Sequence, residues 1–267
     1  MSSHAFDQAI ALTPVSTNLY KGATTEAFQN MVGPFGGMTA ATLLNAALQH
    51  PQRLGDPVSL TVNFAGPVGL GEFELEAVPL RTNRSTQHWL LLQRQNGEVV
   101  TSATAFFAAR RETWSQQQMP RPPAPAADSM PRNEVSIRNW FQHYDLRFVH
   151  GMPMAPRLPG QAHDESLLWM RDYPERQLDF PSLTALGDIF APRIFLCRES
   201  FTPAGTVSMT HYFHATSEEL LNAGSRFLLG QARATRLHDN YGDQIAHLWT
   251  DDGVLLLTTT QSVYYKE

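Results

Sequence analysis

The sequence predicts an α+β protein made of two copies of one unit, in which a long helix is wrapped by an antiparallel β-sheet. Most segments alternate apolar and polar residues with the two-residue period of half-buried strands. In addition, residues 58–64 (VSLTVNF) resemble residues 207–213 (VSMTHYF), 149 positions later, and Asn96-Gly97 resembles Asp252-Gly253, 156 positions later. A repeat this long and in the same order indicates a duplicated domain, because solenoid repeats are much shorter.

Composition limits the classes of protein to consider. The chain has 267 residues, of which 42% are hydrophobic, so it can form real cores. Its net charge is −5 and it has no long run of like charges, which argues against nucleic acid or an acidic membrane as the main partner. The single cysteine, Cys197, excludes an internal disulfide and a Cys-rich zinc site. With no secretory leader in MSSHAFDQAI and no membrane-length apolar run, we expect a soluble, cytoplasmic protein.

The first unit is predicted to span residues 1–114. Gly36-Gly37 precede an Ala/Leu-rich helical run, which Pro51 stops. Asn96-Gly97 is the strongest two-residue hairpin signal. Strands are predicted in 8–30 (one or two weak edge strands), 57–67, 72–81, 88–94 and 98–108.

A linker at 115–132 and a second unit at 133–267 follow. The linker holds five prolines, which suit neither a helix interior nor a central strand. In the second unit we expect a short helical segment around Trp140, an extended piece at 146–149 and a strand at 166–173. The residues Leu183, Leu186, Ile189, Ile194 and Phe195 have roughly helical spacing after Pro181, and Asp188 lies among them. A strand at 206–214 comes next.

Several catalytic motifs are absent. The sequence has no G-x-S-x-G, so a serine nucleophile on an α/β-hydrolase elbow is excluded. It has no H-E-x-x-H, Walker loop or G-x-G-x-x-G, so no metal or cofactor is expected. His211 and His214 are three apart, which places them on opposite faces of a strand and argues against a shared metal.

Six stretches carry a family resemblance. They are GPFGGMTAATLL at 33–44, PVSLTVNFAGP at 57–67, LRTNRSTQHWLLLQRQNGEVVTSATAFF at 80–107, TALGDIFAP at 184–192, TVSMTHYFH at 206–214 and WTDDGVLLLTTTQ at 249–261. In this order the chain resembles the acyl-CoA thioesterase II family of hydrolases, which has a double hot dog fold. The resemblance implies hydrolysis of acyl-CoA to a free carboxylic acid and CoA, with no cofactor, in fatty acid metabolism. It also implies a homo-oligomer, because such sheets often associate through their edges.

The resemblance implies a catalytic trio of Asp188, Thr206 and Gln261. The chain departs from the family at two positions, with Ser208 where an acid is common and Met38 where Gln commonly follows the two glycines. The repeat offers an independent check. At the two offsets Thr206 corresponds to Pro57 and Gln261 to Ala105, and the first helix has no acid at 37–47. The polar trio is therefore not needed to fold a copy, which favours a chemical role.

The chemistry we expect is activation of a water molecule. Asp188 would act as general base, while Thr206 and Gln261 hold the water. A backbone N–H at the Gly36-Gly37 helix start would stabilise the oxyanion. Further substrate-binding candidates are Ser208 and, for a CoA phosphate, Arg81, Arg84 and Ser85. The acyl group is expected to be apolar, because Phe35, Leu43, Leu186 and Phe190 lie on the apolar helix faces.

Two other functions remain open from the sequence. One is a hot dog enoyl-CoA hydratase, which usually needs an Asp–His pair, and no histidine is near Asp188 in sequence. The other is a non-catalytic acyl-CoA-binding protein, for which the missing acid at Ser208 is an argument.

Overall fold

A computed structural model describes residues 4–134, 138–153, 164–198, 200 and 202–266. Within these ranges the helices are α1 (Ala5–Ala9), α2 (Gly36–Gln49), α3 (Phe180–Leu186), α4 (Ile194–Cys197) and α5 (Ser217–Ala223). The strands of the first half are β1 (Thr13–Pro14), β2 (Leu19–Ala23), β3 (Asp56–Phe64), β4 (Glu72–Thr82), β5 (Thr86–Gln95) and β6 (Glu98–Ala108). Those of the second half are β7 (Tyr144–His150), β8 (Ser166–Asp172), β9 (Ala204–Phe213), β10 (Leu228–Arg233), β11 (Leu237–His238), β12 (Tyr241–Trp249) and β13 (Leu255–Tyr265). No helix in these ranges is both long and apolar enough to cross a membrane.

All strands join one continuous antiparallel sheet. The order is β1-β2-β4-β5-β6-β3-β9-β13-β12-β10-β8-β7, with β11 paired to β12. The two halves meet at β3 and β9, where Thr61 and Thr210 lie directly opposite each other and their hydroxyl oxygens are 3.0 Å apart. These two threonines are equivalent residues of the repeat, so a local two-fold axis passes between them. The predicted fold of two hot dog units is confirmed.

The strand register is repeated as well. Leu60 pairs with Ala105 in the first half, and Met209 pairs with Gln261 in the second, which reproduces the offsets of 149 and 156. Both copies also carry a β-bulge at the same place, at Val58 and at Val207. Corresponding positions in the two halves can therefore be compared residue by residue.

Helices α2 and α3 pack side by side on the inner face of the sheet. The middle of α2 is almost completely enclosed, and Leu43 and Leu44 have no exposed surface. A Cβ on Gly37 would lie 2.7 Å from the carbonyl oxygen of Ala185, so the two helices approach closely at this point. The contact brings the N-terminus of α2 against the C-terminus of α3, which is where the candidate site lies.

The structure differs from the sequence prediction in the helices. The expected helix from Pro181 to Phe195 is two short helices, because α3 ends at Leu186, a turn follows at Gly187, and α4 begins only after Pro192. The apolar residues between them, Ile189 and Phe190, are buried in a loop. Helical spacing therefore reflected burial and not helical backbone. The region of the predicted edge strands contains β1 and β2, but it also contains part of α1, which was missed.

Part of the predicted linker packs on the second half of the sheet. Trp169 donates from its indole Nε1 to the carbonyl of Pro125 at 2.8 Å, and the guanidinium of Arg121 lies over the same ring. No helix or strand occurs between residues 109 and 126. The segment therefore also covers an apolar surface, and the unit boundaries at 114 and 132 stay predictions.

Candidate active site

Asp188 lies in the turn that ends α3. Its backbone N–H donates to the carbonyl of Ala185 at 3.0 Å, and that of Gly187 donates to Leu183 at 3.1 Å. The side chain points to the first residues of α2. A Cβ on Gly36 would lie 2.8 Å from Asp188 Oδ2, so a glycine at position 36 leaves space in front of this oxygen. The prediction that Asp188 lies within a helix is wrong, because α3 ends at Leu186 and Asp188 lies in the turn after Gly187.

Thr206 faces the same space because of a bulge in β9. Val263 pairs with Thr206 and Gln261 with Met209, so Val207 is the extra residue between them. With regular alternation from buried Met209, residue 207 would point inward. The bulge instead turns Val207 outward, where it is 42% exposed, and turns Thr206 to the inner face.

Gln261 connects the other two residues in a chain of hydrogen bonds. The Thr206 hydroxyl donates to Gln261 Oε1 at 2.9 Å, and Gln261 Nε2 donates to Asp188 Oδ1 at 2.7 Å. A carboxylate can only accept, so the orientation of the amide is fixed by its partners. The structure thus brings the three predicted residues together, with Asp188 Oδ2 next to the space above Gly36.

The surroundings of Asp188 make its carboxyl group a weaker acid. Burial raises the pKa of Asp188 to about 7, while hydrogen bonds from Gln261 and from the backbone N–H of Gly37 act in the opposite direction. The residue as a whole is half-buried. A carboxylate with a pKa near 7 is suited to accept a proton from water at neutral pH.

The N-terminus of α2 supplies further donors. The first N–H groups of a helix have no partner within the helix. The N–H of Gly37 is directed at Asp188. That of Gly36 has no backbone or side-chain acceptor in the part of the chain described, and it borders the same space. It could donate to a developing oxyanion.

Ser208 does not join the trio. It pairs with Ser262 in β13 and with Asn63 in β3, and its side chain therefore lies on the outer face of the sheet. Among the described residues no hydrogen bond joins Ser208 to Asp188, Thr206 or Gln261.

The residues predicted to bind a CoA phosphate lie far from the trio. Arg84 and Ser85 form the turn between β4 and β5, at the level of Ala108 in β6. The site is next to Phe64, which is level with Thr101. Seven residues of strand separate the two levels, or about 23 Å. Arg81 lies at the same turn and donates to the side chain of Asn83 at 3.0 Å.

His211, which the sequence raised only as a possible metal ligand, contacts the Asp188 turn. His211 Nε2 lies 3.0 Å from the carbonyl oxygen of Thr184. It has no hydrogen bond to Asp188, and burial lowers the pKa of His211 to about 4. The repeat could have pointed to His211, because the matching residue of the first half is the apolar Val62. Among the described residues no three His, Cys, Asp or Glu side chains come together as a metal site.

Comparisons with known proteins identify the family of the chain. Residues 25–108 match a family model described as the acyl-CoA thioesterase N-terminal domain, and residues 116–265 match the acyl-CoA thioesterase C-terminal domain. No protein among the curated ones matches the sequence.

Solved structures give the same picture. A hot dog protein of unknown function from Alicyclobacillus acidocaldarius is 46% identical, with a TM-score of 0.95 over 100% of this chain and 99% of that one. An acyl-CoA thioesterase II, TesB2, from Mycobacterium marinum is 19% identical, with a TM-score of 0.77 over 98% of both chains. A tesB protein from Mycobacterium avium subsp. paratuberculosis is 17% identical, with a TM-score of 0.79 over 98% of both chains. The last two likenesses concern the fold alone.

Proposed function

The chain belongs to the acyl-CoA thioesterase family of thioester hydrolases, and we propose that it hydrolyses acyl-CoA with a water molecule activated by Asp188. The observation that carries this proposal is the unbroken hydrogen-bond chain from Thr206 through Gln261 to Asp188. It ends on a carboxylate whose other oxygen lies close to Gly36, at the N-terminus of α2.

The proposed reaction begins with water next to Asp188 Oδ2. As the water oxygen forms a bond to the thioester carbonyl carbon, Asp188 takes the water proton. Gln261 holds the carboxylate in place from Oδ1, and Thr206 fixes the orientation of the Gln261 amide. A positioned base of this kind is worth about 10²–10⁴ in rate.

The second half of the reaction breaks the carbon–sulfur bond. The tetrahedral intermediate carries its negative charge on the former carbonyl oxygen, which the N–H of Gly36 can stabilise. One such donor is worth about 10²–10³ in rate. When the intermediate collapses, the CoA sulfur leaves with the bonding electrons and takes the proton from Asp188. The products are a carboxylic acid and CoA, and Asp188 is again ionised.

We propose that the acyl group enters a small cavity beyond Asp188. The cavity has room for about one water molecule and is lined by Ile189, Phe190, Leu168 and Phe148, among others. Of the four apolar residues suggested by the sequence, Phe190 lines it, whereas Leu43 and Leu186 are enclosed in the core. A cavity of this size must widen before an acyl group can enter. Phe190→Ala should move the preferred chain length upward, measured as kcat/KM along a series of straight-chain acyl-CoAs.

A panel of saturated and enoyl-CoA substrates tests the function directly. We expect release of free CoA, detected with a thiol reagent, from the saturated substrates. Loss of the enoyl absorbance without thiol release would support a hydratase instead. Binding without either reaction would support a non-catalytic acyl-CoA-binding protein. The homo-oligomer, the cytoplasmic location and the role in fatty acid metabolism stay predictions.

A further inference from the structure

The turn that carries Asp188 is attached to the sheet by two polar contacts. The last carbonyl groups of a helix lack partners within the helix. His211 Nε2 lies 3.0 Å from the carbonyl oxygen of Thr184, and the Thr259 hydroxyl donates to the carbonyl of Gly187 at 3.3 Å. Because a carbonyl oxygen only accepts, the proton of His211 is on Nε2. Two neighbouring strands, β9 and β13, thus each supply one donor to the end of α3.

The turn also lies very close to the sheet. A Cβ on Gly187 would be 2.8 Å from side-chain carbons of Leu257 and Thr259, and 3.2 Å from the ring of His211. Gly187 has an ordinary helical backbone, with φ −63°, so space and not conformation requires a glycine here. Any side chain would lift the turn, and Asp188 with it, off the two donors.

The repeat indicates that these contacts are not needed to fold a copy. At the matching positions of the first half, Val62 replaces His211 and Ala103 replaces Thr259. The backbone pairing is the same, since His211 pairs with Thr259 and Val62 with Ala103. His211 and Thr259 have no exposed surface, and a buried polar group is costly unless it is hydrogen-bonded. The copy that holds the candidate trio is the one that carries them.

We propose that His211 and Thr259 are positioning residues, which hold the α3 turn so that the Asp188 carboxylate meets Gln261 and the N-terminus of α2. The proposal rests on the proposed function. Neither side chain touches Asp188, so both act through the backbone of residues 184–187. His211 stays uncharged at neutral pH, since burial keeps its pKa low, and the contact is therefore constant over the working range.

Four substitutions and a matched control test this role. Thr259→Val and His211→Met remove the donors at similar volume, whereas Thr259→Ser and His211→Gln keep a donor. We expect kcat to fall about 10–100-fold in the first two, with KM within about twofold, because small displacements of a reacting group are costly. Thr259→Ser and His211→Gln should keep most of the parental kcat. Thr101→Val is the control, since Thr101 is a buried threonine of β6 whose hydroxyl has no hydrogen-bond partner among the described residues, and it should keep parental kcat.

Hydrogen exchange gives a readout that does not depend on activity. The amides of Gly187 and Asp188 are hydrogen-bonded within the turn, and they should exchange about tenfold or more faster in Thr259→Val and His211→Met than in the parent. Thr101→Val should leave them unchanged. The positioning role is overturned if the exchange rates of these amides are unchanged in Thr259→Val and His211→Met. It is also overturned if the kcat of Thr259→Ser is no higher than that of Thr259→Val. If the parent protein hydrolyses no acyl-CoA, the proposed function fails, and hydrogen exchange still decides whether these residues hold the turn.

Discussion

The two halves of the sheet have the same strand pairing but bury different side chains near the end of the helix pair. The second half has four polar residues where the first half has apolar ones. The pairs are Thr206 and Pro57, Gln261 and Ala105, His211 and Val62, and Thr259 and Ala103. The first half shows that this backbone folds without any of them. The comparison therefore separates residues that the fold requires from residues that only the candidate chemistry requires.

The candidate site lowers the stability of the folded protein. Hydrogen bonds from Gln261 and Gly37 favour the ionised form of Asp188, but burial outweighs them and raises its pKa to about 7. A buried acid of this kind destabilises the folded protein at neutral pH. This difference between the two halves predicts four measurable effects.

Removing the carboxylate should have the largest effect. Asp188→Asn keeps the size of the side chain but cannot accept the water proton, so kcat should fall about 10²–10⁴-fold with little change in KM. The measurement is thiol release from acyl-CoA. Asp172→Asn is the matched control, because Asp172 is also buried with its pKa raised to about 6, yet it bonds to Ser182 and not to the trio. Equal losses in both variants would contradict the assignment of Asp188.

Filling the space above Gly36 should have the next largest effect. A Cβ at this position would be 2.8 Å from Asp188 Oδ2, so Gly36→Ala should displace the carboxylate or the water and lower kcat about 100-fold. Gly205→Ala is the control, since a Cβ there would meet nothing within 4 Å. A fully active Gly36→Ala variant would mean that the water is not held between Asp188 and α2.

The rate should also depend on pH through the ionisation of Asp188. A base is active only when deprotonated, so kcat/KM should rise with pH and level off above about 7, the pKa that burial gives Asp188. Below this value it should fall about tenfold per pH unit. A flat profile between pH 5 and 8 would exclude Asp188 as the base.

The smallest expected effect is on stability. Asp188→Asn, which should lower kcat, should make the folded protein more stable. Because the pKa of Asp188 is higher in the folded protein, about 7, than the value of about 3.9 expected in the unfolded chain, stability is lost as pH rises between these values. At pH 8 Asp188→Asn should therefore be more stable than the parent by about 1–3 kcal/mol and should unfold at a higher temperature. The gain should vanish near pH 4, which thermal unfolding at the two pH values can check. An equal gain at both would point to another cause.

The sequence predicted the duplicated fold and the hairpin at Asn96-Gly97, because these depend on local patterns and on comparison of the two copies. Gly97 indeed has φ of 84°, as that turn requires. The trio was implied by the family resemblance, and its catalytic role stays a prediction. The sequence could not predict the bulge at Val207, which directs Thr206 inward, since a bulge depends on pairing between strands. The break at Gly187 was hidden by buried Ile189, whose spacing imitates a helix.

The role of Arg81 and Arg84 in binding a CoA phosphate stays a prediction. Arg81 and Arg84 are close in sequence to residues of the family motif, but distance along the strands separates them from Asp188. Which end of a strand faces the site depends on long-range pairing, and composition alone carries no information about it.

The central claim is that Asp188 activates water and does not itself attack the thioester. Single-turnover hydrolysis in ¹⁸O-labelled water, with enzyme in excess over acyl-CoA, distinguishes the two. If water attacks the acyl carbon directly, the released acid carries one ¹⁸O from the first turnover. If the Asp188 carboxylate forms an anhydride with the acyl group and water opens it at the Asp188 carbonyl, the first acid released contains only ¹⁶O, and that result would contradict the account.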